Sequence, residues 1–582
     1  MTRIIISRVL PFFVTLVLTS AASFSLFAQT QPPNNVLPSP LSLSDEKTYR
    51  QVFSLQERGK WSDADKKLKT LGDSSLLGHV IAQRLLHPTK YRSKYKELAD
   101  WLEQYADHPD AYRIYRLALK RQPKKSRGPQ KPAKTRLVGV SNKSPRNFGT
   151  YFRLRKAGIP ITQSSSNFHR RVRRLIKRER LTLAGKFIDK AQRQGQQLAH
   201  IGIARSRLAA GWFYYGNDEK ALQEAIRASE SESHLVPLAW WYGGLAAFRL
   251  GEFGLAANQF EVLADLPDIS GAMRAAAAFW AGRANLIAKR PSKSSVFFQR
   301  AAKHSFEFYG ILSTYILGIK KPIAWEGEIQ TDTQNDFWSH HPATRRAIRL
   351  VQIGQMFRAE RELRQLVPER DETARKALLA AADVLSMPGL ALQVAQSEDI
   401  KSSPLKMRGL YPIPPWKPSG GYKVDRALLY AFMRQESAFR TKAKSRAGAT
   451  GLMQLMPSTA TYIGKRGYRG KNLRRLFEPE LNIELGQKYL IYLTENEAVG
   501  NNLFFLAAAY NGGPGNLKKW MRNATLKADP LLFIESLPSR ETRNFIEKVI
   551  ANLWIYRDRL NQDSPSLHTL AEGNIPTYIA LD

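Results

Sequence analysis

The chain contains no cysteine. This excludes disulfides, thiolate metal centres, cysteine nucleophiles and the acylated cysteine of a bacterial lipoprotein. Acidic residues are scarce as well: 50 Asp and Glu stand against 89 Lys and Arg, a net charge of +39. A balance of this kind raises encounter rates with polyanions and keeps a protein soluble. Long alternating β-branched runs are rare and helix formers dominate, so the fold class expected is mainly all-α. The histidines His169, His234, His304, His340 and His341 show no spacing suited to zinc. Calcium loops, phosphate loops and dinucleotide fingerprints are also missing, and neither a cofactor nor a metal is expected. After the first segment no run reads as a membrane span; the alanine-rich stretch near Ala275 to Ala288 is interrupted by charge at Arg274 and Arg283.

The first segment has the layout of a secretory signal peptide. Arg3 and Arg8 precede an apolar run from Val9 to Phe27, and cleavage is expected after Ala22 or Ala28. An uncleaved anchor is the alternative. Residues 29–41 read as a polar, Pro-rich linker. The 582 residues are too many for one ordinary core, so two or more folded units are expected.

From about Ser42 onward one helical pattern follows another. Three consecutive stretches look alike: Ala209-Ala210-Gly211-Trp212 to Leu222, Trp241-Tyr242-Gly243-Gly244 to Phe260, and a looser copy from Phe279-Trp280-Ala281-Gly282 to Ala301. Equivalent positions recur about every 33 to 38 residues, close to the period of helix-turn-helix repeats. Small residues let paired helices approach while aromatics fill the gaps, which predicts a superhelix over residues 42–404. Residues 121–147 interrupt it as a basic, Pro- and Gly-containing insertion. Arg170 to Arg180 is basic too, but Val172, Leu175 and Ile176 give it one apolar helical face. Residues 405–421 carry Pro412, Pro414, Pro415 and Pro418 and read as a linker. A second unit is expected over residues 422–582.

In that unit Val424 to Phe439 reads as a helix, with Leu428, Leu429, Phe432, Met433 and Phe439 in one apolar arc. Glu436 falls in the middle of this arc. Burial and the negative end of the helix dipole both favour its protonated form, and a carboxylic acid that stays protonated near neutral pH suits general acid chemistry. The competing role for such a residue is an ion pair with Arg434 or Arg440. Downstream, Ser445 opens a stretch with Gly448 and Gly451 for tight turns, Gln454 as a polar contact, and Met453 and Met456 as adaptable apolar ones. Ala507-Ala508-Ala509-Tyr510-Asn511-Gly512-Gly513-Pro514-Gly515 reads as a helix end and turn. Pro538-Ser539-Arg540-Glu541-Thr542-Arg543 opens a long helix.

Four of these motifs, in this order, resemble the soluble lytic murein transglycosylase family. They are Glu436 in a Glu-Ser-x-Phe setting, Gly451-Leu452-Met453-Gln454-Leu455-Met456-Pro457, Ala509-Tyr510-Asn511 and Glu541-Thr542-Arg543. The resemblance covers about Val424 to Arg559; for the repeats upstream it is architectural. It implies a lysozyme-like, α-rich catalytic domain on an N-terminal helical superhelix. It implies a periplasmic enzyme acting on peptidoglycan strands of N-acetylmuramic acid and N-acetylglucosamine, a lyase on polysaccharide. Glu436 would be the catalytic acid, and Ser445, Gln454, Met456, Tyr510, Asn511 and Glu541 would line or support the glycan cleft. Gly512 departs from the alanine usual in the family and leaves that turn looser.

No Asp or Glu lies between Glu436 and Glu478, whereas ordinary glycosidases use two carboxylates. The expected reaction is therefore non-hydrolytic, with Glu436 acting as acid and then base and the sugar's own C6 hydroxyl closing a 1,6-anhydro ring. Glu478, Glu480, Glu484 and Glu541 stay open as second carboxylates. The alternatives are a hydrolytic muramidase like the goose-type lysozymes and a non-catalytic peptidoglycan-binding scaffold. Peptidoglycan is the expected partner, alongside other cell-wall proteins; nucleic acid and a stable membrane anchor are not expected. The oligomeric state is not legible.

Overall fold

The computed structural model describes residues 41–133, 150–231, 233–320, 322–327, 342–366, 372–396, 402–522 and 529–582. The expected leader 1–28, the linker 29–41 except Leu41, and positions 134–147 of the basic insertion lie outside the described residues. Regular structure among the described residues is helical, with only isolated bridges besides. None of these helices is long and apolar enough to cross a membrane.

The three similar stretches fold as three helical hairpins: Leu198–Tyr214 with Asp218–Ser229, Pro237–Arg249 with Phe253–Asp265, and Gly271–Ile287 with Pro291–Ala302. Each hairpin turns in the same way. One residue takes a left-handed conformation, Gly216 (φ 76°), Gly251 (φ 81°) or Lys289 (φ 59°). The next N–H then reaches back five residues: Asn217 to the Trp212 carbonyl at 3.0 Å, Glu252 to Ala247 at 2.9 Å and Arg290 to Asn285 at 2.8 Å. This closure satisfies carbonyls that a helix end leaves without partners. Glycine adopts the conformation freely, whereas a lysine there pays roughly 1 kcal/mol, so the third copy looks looser in sequence yet keeps the geometry. The same closure recurs at Gly195 with Gln196, Gly354 with Gln355 and Ser386 with Met387. The repeat thus extends beyond the three copies visible in the sequence.

The small residues have a specific use. A Cβ on Gly244 would sit 2.7 Å from the Phe260 ring, and one on Gly282 would sit 3.0 Å from Phe298. Each second-helix phenylalanine fills the notch its glycine leaves.

The helical array closes on itself. Gln352 exchanges hydrogen bonds with the backbone of Leu41, receiving one at 2.8 Å and donating one at 3.0 Å. Tyr49, Val52, Phe53 and Val80 share a core with Ala347, Leu350, Leu378 and Leu390.

The C-terminal unit is built around the helix Arg426–Ser437, which packs along Arg540–Arg559, itself packed against Leu503–Gly512. Leu428, Leu429, Phe432 and Met433 are buried in a core continuous with the solenoid residues Trp280 and Tyr309. Full burial of each such side chain contributes about 1.5–3 kcal/mol. The first turn is capped by Asp425, which accepts from the Ala427 N–H at 2.8 Å and pairs with Arg557 at 3.0 Å; both charges are buried. Within 405–421, Pro404–Leu410 is a short helix and irregular backbone follows it.

Candidate functional site around Glu436

The helix that carries Glu436 ends one residue later, at Ser437, without a glycine. Ala438 (φ 50°) and Phe439 (φ 60°) are both left-handed, a conformation that costs about 1 kcal/mol or more per residue in an L-amino acid. Phe439 thereby returns its ring to the core, where it is 1% exposed. The helix expected over Val424 to Phe439 therefore runs two residues too far at this end, as it does at its start, where Asp425 is the cap. Its apolar arc is nonetheless buried, because the reversal brings Phe439 back to the same side.

Glu436 is half-buried, and its carboxyl makes no hydrogen bond or ion pair among the described residues. Loss of water pushes its pKa up to about 8, and the negative charge of Glu541 adds to the shift. Neither arginine considered as a partner pairs with it. Arg434 donates to the Leu410 carbonyl at 2.9 Å and to Asn552 at 2.9 Å, with its guanidinium 4.3 Å from the Tyr411 ring centre. Arg440 turns to the Ser437 carbonyl at 3.0 Å.

Tyr510 lies next to Glu436. Its phenol is pushed above its ordinary range by burial first and by the Glu436 charge second. The ring packs 4.6 Å from Phe432 and 5.2 Å from Tyr489, and the hydroxyl donates to the Met453 carbonyl at 2.8 Å. That bond ties the loop after Ser445 to the helix Leu503–Gly512, whose Tyr510 packs on Phe432 of the Glu436 helix. Antiparallel bridges Lys444 with Thr450 and Thr450 with Leu455 give this loop its shape. Gly451 (φ 84°) is required here, since a Cβ would fall 2.3 Å from the Leu476 carbonyl.

Gln454 is a third non-glycine left-handed residue, at φ 45°. Its amide nitrogen donates to Gly451 at 2.8 Å and Ala443 at 3.3 Å, so its donors are committed and only its oxygen is left without a partner among the described residues. Met456 is exposed and precedes the helix Pro457–Gly464. Ser445 is exposed, and its hydroxyl oxygen accepts from the Ala449 N–H at 2.9 Å, shaping the loop tip; no contact joins it to Glu436. Asn511 accepts from the Thr542 hydroxyl at 2.8 Å, which places the exposed Glu541 at the start of the neighbouring helix. Gly512 does not loosen its turn: a Cβ there would lie 2.6 Å from Trp520, so the indole occupies the space.

Of the four carboxylates left open, Glu478 pairs with Arg475 at 3.6 Å and Glu484 with Lys488 at 3.0 Å. Glu480 is exposed in the first turn of Pro479–Thr494. Glu541 is the one whose charge bears on Glu436.

Sequence reasoning missed Asn482. This buried side chain accepts from the Met453 N–H at 2.8 Å and donates to Leu476 at 2.8 Å and Thr450 at 3.1 Å, clamping the loop from below. An Asn in a helical stretch gives no sequence signal of that use. His79, His108 and Glu362 also come together, each with a ligand-type atom within 4.8 Å of the others. Those atoms already serve each other: Glu362 is 2.7 Å from His79, His79 is 2.9 Å from His108, and Arg346 lies across both Glu362 oxygens. Two large cavities, about 550 Å³ beside Tyr315 and Trp554 and about 890 Å³ beside Arg358 and Trp416, are lined by neither Glu436, Tyr510 nor Glu541.

Residues 416–533 match the transglycosylase SLT domain. The chain is 42% identical over 146 residues to the soluble lytic murein transglycosylase of Salmonella typhimurium, covering 24% of this chain and 22% of that protein. It is 39% identical over 158 residues to the Escherichia coli protein of the same name, covering 26% of this chain and 24% of that one. The sequence match thus spans about a quarter of these relatives. The crystal structure of the 70 kDa soluble lytic transglycosylase of Escherichia coli superposes with a TM-score of 0.58 at 18% identity, covering 92% of this chain and 99% of that one. The transglycosylase SLT domain thus accounts for residues 416–533, and the likeness to the 70 kDa protein shows an all-α fold of superhelix and lysozyme-like unit along nearly the whole length of the chain.

Proposed function

We propose that the protein is a lytic transglycosylase that cleaves the bond between N-acetylmuramic acid and N-acetylglucosamine in peptidoglycan. Residues 422–582 form its catalytic unit and residues 42–404 the superhelix on which that unit is seated. The observation that carries this reading is an unpartnered, half-buried Glu436 whose pKa is raised to about 8, within the segment that matches the SLT domain. At neutral pH such a group holds a proton to give to the bridging oxygen. The substrate's 2-acetamido group stabilises the positive charge that develops on the sugar. Glu436, then ionised and basic, takes the proton of the C6 hydroxyl as that oxygen attacks the anomeric carbon, and a 1,6-anhydro ring closes. Water is not the nucleophile. Gln454, Met456, Tyr510 and Asn511 line or support the glycan site, Ser445 shapes the loop beside it, and Glu541 keeps Glu436 protonated. Export to the periplasm fits the leader read in the sequence.

Glu541 supports a second reading, because a carboxylate near Glu436 is what a hydrolytic muramidase needs for its water. Mass spectrometry of products from purified cell walls separates the two. The anhydro product is one water lighter than the hydrolysed one, and the proposal expects the lighter species; a reducing-end product would replace it with the muramidase reading. Release of no fragments at all would favour a binding scaffold.

A further inference from the structure

The first turn of the helix Arg540–Arg559 is held from two sides, by Asn511 of its own unit and by the solenoid. Among the described residues, the side-chain contacts that join residues 529–548 to the solenoid include these five. Arg283 pairs with Asp529 at 2.6 Å, and Tyr309 donates to the fully buried Glu535 at 2.5 Å. Arg249 reaches Ser536 at 3.4 Å, Arg543 reaches the Tyr242 hydroxyl at 3.4 Å, and Lys548 pairs with Glu307 at 2.8 Å. The partners come from helices Pro237–Arg249 and Gly271–Ile287 and from the start of Phe308–Ile316.

Arg543 is central to this set. It is buried, two residues from Glu541, and faces away from the solvent side on which Glu541 lies. Its guanidinium donates to the Leu537 carbonyl and sits 5.1 Å from the Tyr214 ring centre, while Tyr214 and Tyr242 are hydrogen-bonded to each other. A planar, permanently charged group with several donors can hold a backbone carbonyl, a phenol and an aromatic face together. On the other side of the same turn, Thr542 is tied to Asn511.

We propose that Arg543 is a positioning residue through which the solenoid holds the first helical turn, and with it the Glu541 carboxylate, against Glu436. The superhelix is then part of the machinery that sets the pH range of the reaction. This inference rests on the reading of Glu436 as the acid. The groups that face Glu436 are few: Glu541 from this helix and Tyr510 from Leu503–Gly512, with Tyr489 behind the latter. Arg434 and Arg440 turn elsewhere. Moving Glu541 therefore removes the negative charge that, among the described residues, raises the proton affinity of Glu436.

The test is the pH profile of kcat/KM for cell-wall solubilisation by the full chain. Activity needs a protonated Glu436, so it falls as pH rises through the pKa of that group. Glu541→Gln is expected to move this alkaline limb down by about half a pH unit. Arg543→Met should move it the same way and lower kcat by about tenfold. Arg543→Lys should restore part of both effects. The Arg543→Met/Glu541→Gln double variant should keep the limb where Glu541→Gln alone puts it, because the two act through one charge. If Arg543→Met does not yield folded protein, Tyr242→Phe with Tyr309→Phe, which removes two hydroxyls, is read in the same way. An Arg543 variant that loses activity with an unmoved limb, or shifts that add in the double variant, overturns the inference. Glu436→Gln keeps the two levels apart: full activity in that variant sinks the acid assignment itself, whereas an inactive Glu436→Gln beside an unmoved limb in Arg543→Met sinks only the positioning role.

Discussion

Burial favours the protonated form of Glu436, and no cation among the described residues pairs with its carboxyl. The sign of the linked stability effect follows. In the unfolded chain this group titrates near 4.3, and in the folded protein near 8. Between those values the folded state binds a proton that the unfolded state has released, so stability falls as pH rises through the window, by at most about 1.4 kcal/mol per pH unit. Glu436→Gln removes this loss. Its melting temperature should match wild type near pH 4.5 and rise above it progressively up to pH 8, measured by calorimetry. Equal pH dependence in both proteins would mean that the carboxyl is hydrated and free. Burial of this residue was legible in the sequence, since Glu436 sits amid Leu429, Phe432 and Met433 on a helical wheel. The partner that adds to its shift was not, because Glu541 is 105 residues away and nothing in the local pattern joins the two.

At the scale of elements, the abrupt end of the Glu436 helix stores strain. Ala438→Gly removes the Cβ penalty at φ 50° and should stabilise the protein by up to about 1 kcal/mol. If turnover needs the rigid reversal, activity drops at the same time. Denaturant unfolding with a paired rate measurement checks both. The other end of that helix depends on a fully buried ion pair. Arg557→Ala leaves Asp425 charged and unpaired in the core, with an expected loss of about 3–5 kcal/mol and a frayed first turn visible by hydrogen exchange. The sequence hid both features. Helix ends are read from glycine, and here Ala438 and Phe439 take the left-handed conformation instead. The repeat turns show the contrary case: Gly216 and Gly251 marked their hairpins plainly, while Lys289 and Ser386 make the same turn without a sequence mark.

Across the whole molecule, the solenoid carries two hydrogen-bonded imidazole pairs. His108 lies 2.9 Å from His79, which lies against Glu362, and His169 lies 3.0 Å from His200 with Arg207 at its other nitrogen. Burial lowers all four pKa values, to about 2 for His108 and about 3 for His169. These groups stay neutral in the folded state, whereas the unfolded chain protonates them below about 6.5. Stability should therefore fall as pH drops from 6.5 toward 5, and a His169→Gln/His200→Gln variant should show a shallower fall in urea titrations. An identical slope in the two proteins would contradict neutral, buried rings. The helical array could be read from composition and period. Its closure through Leu41 and Gln352, and its contacts with the Glu541 turn, could not, because they join residues hundreds of positions apart by single side chains.

The proposed reaction turns on the proton at Glu436. Its most direct measurement compares wild type with Glu436→Gln on purified peptidoglycan, with fragments weighed by mass spectrometry across pH 5 to 9. The account predicts anhydro-terminated fragments from wild type, a rate that declines above about pH 8, and a loss of at least about a thousandfold in the variant. Fragments released by the Gln variant at the wild-type rate, or a wild-type rate that keeps rising well past pH 8, would contradict it.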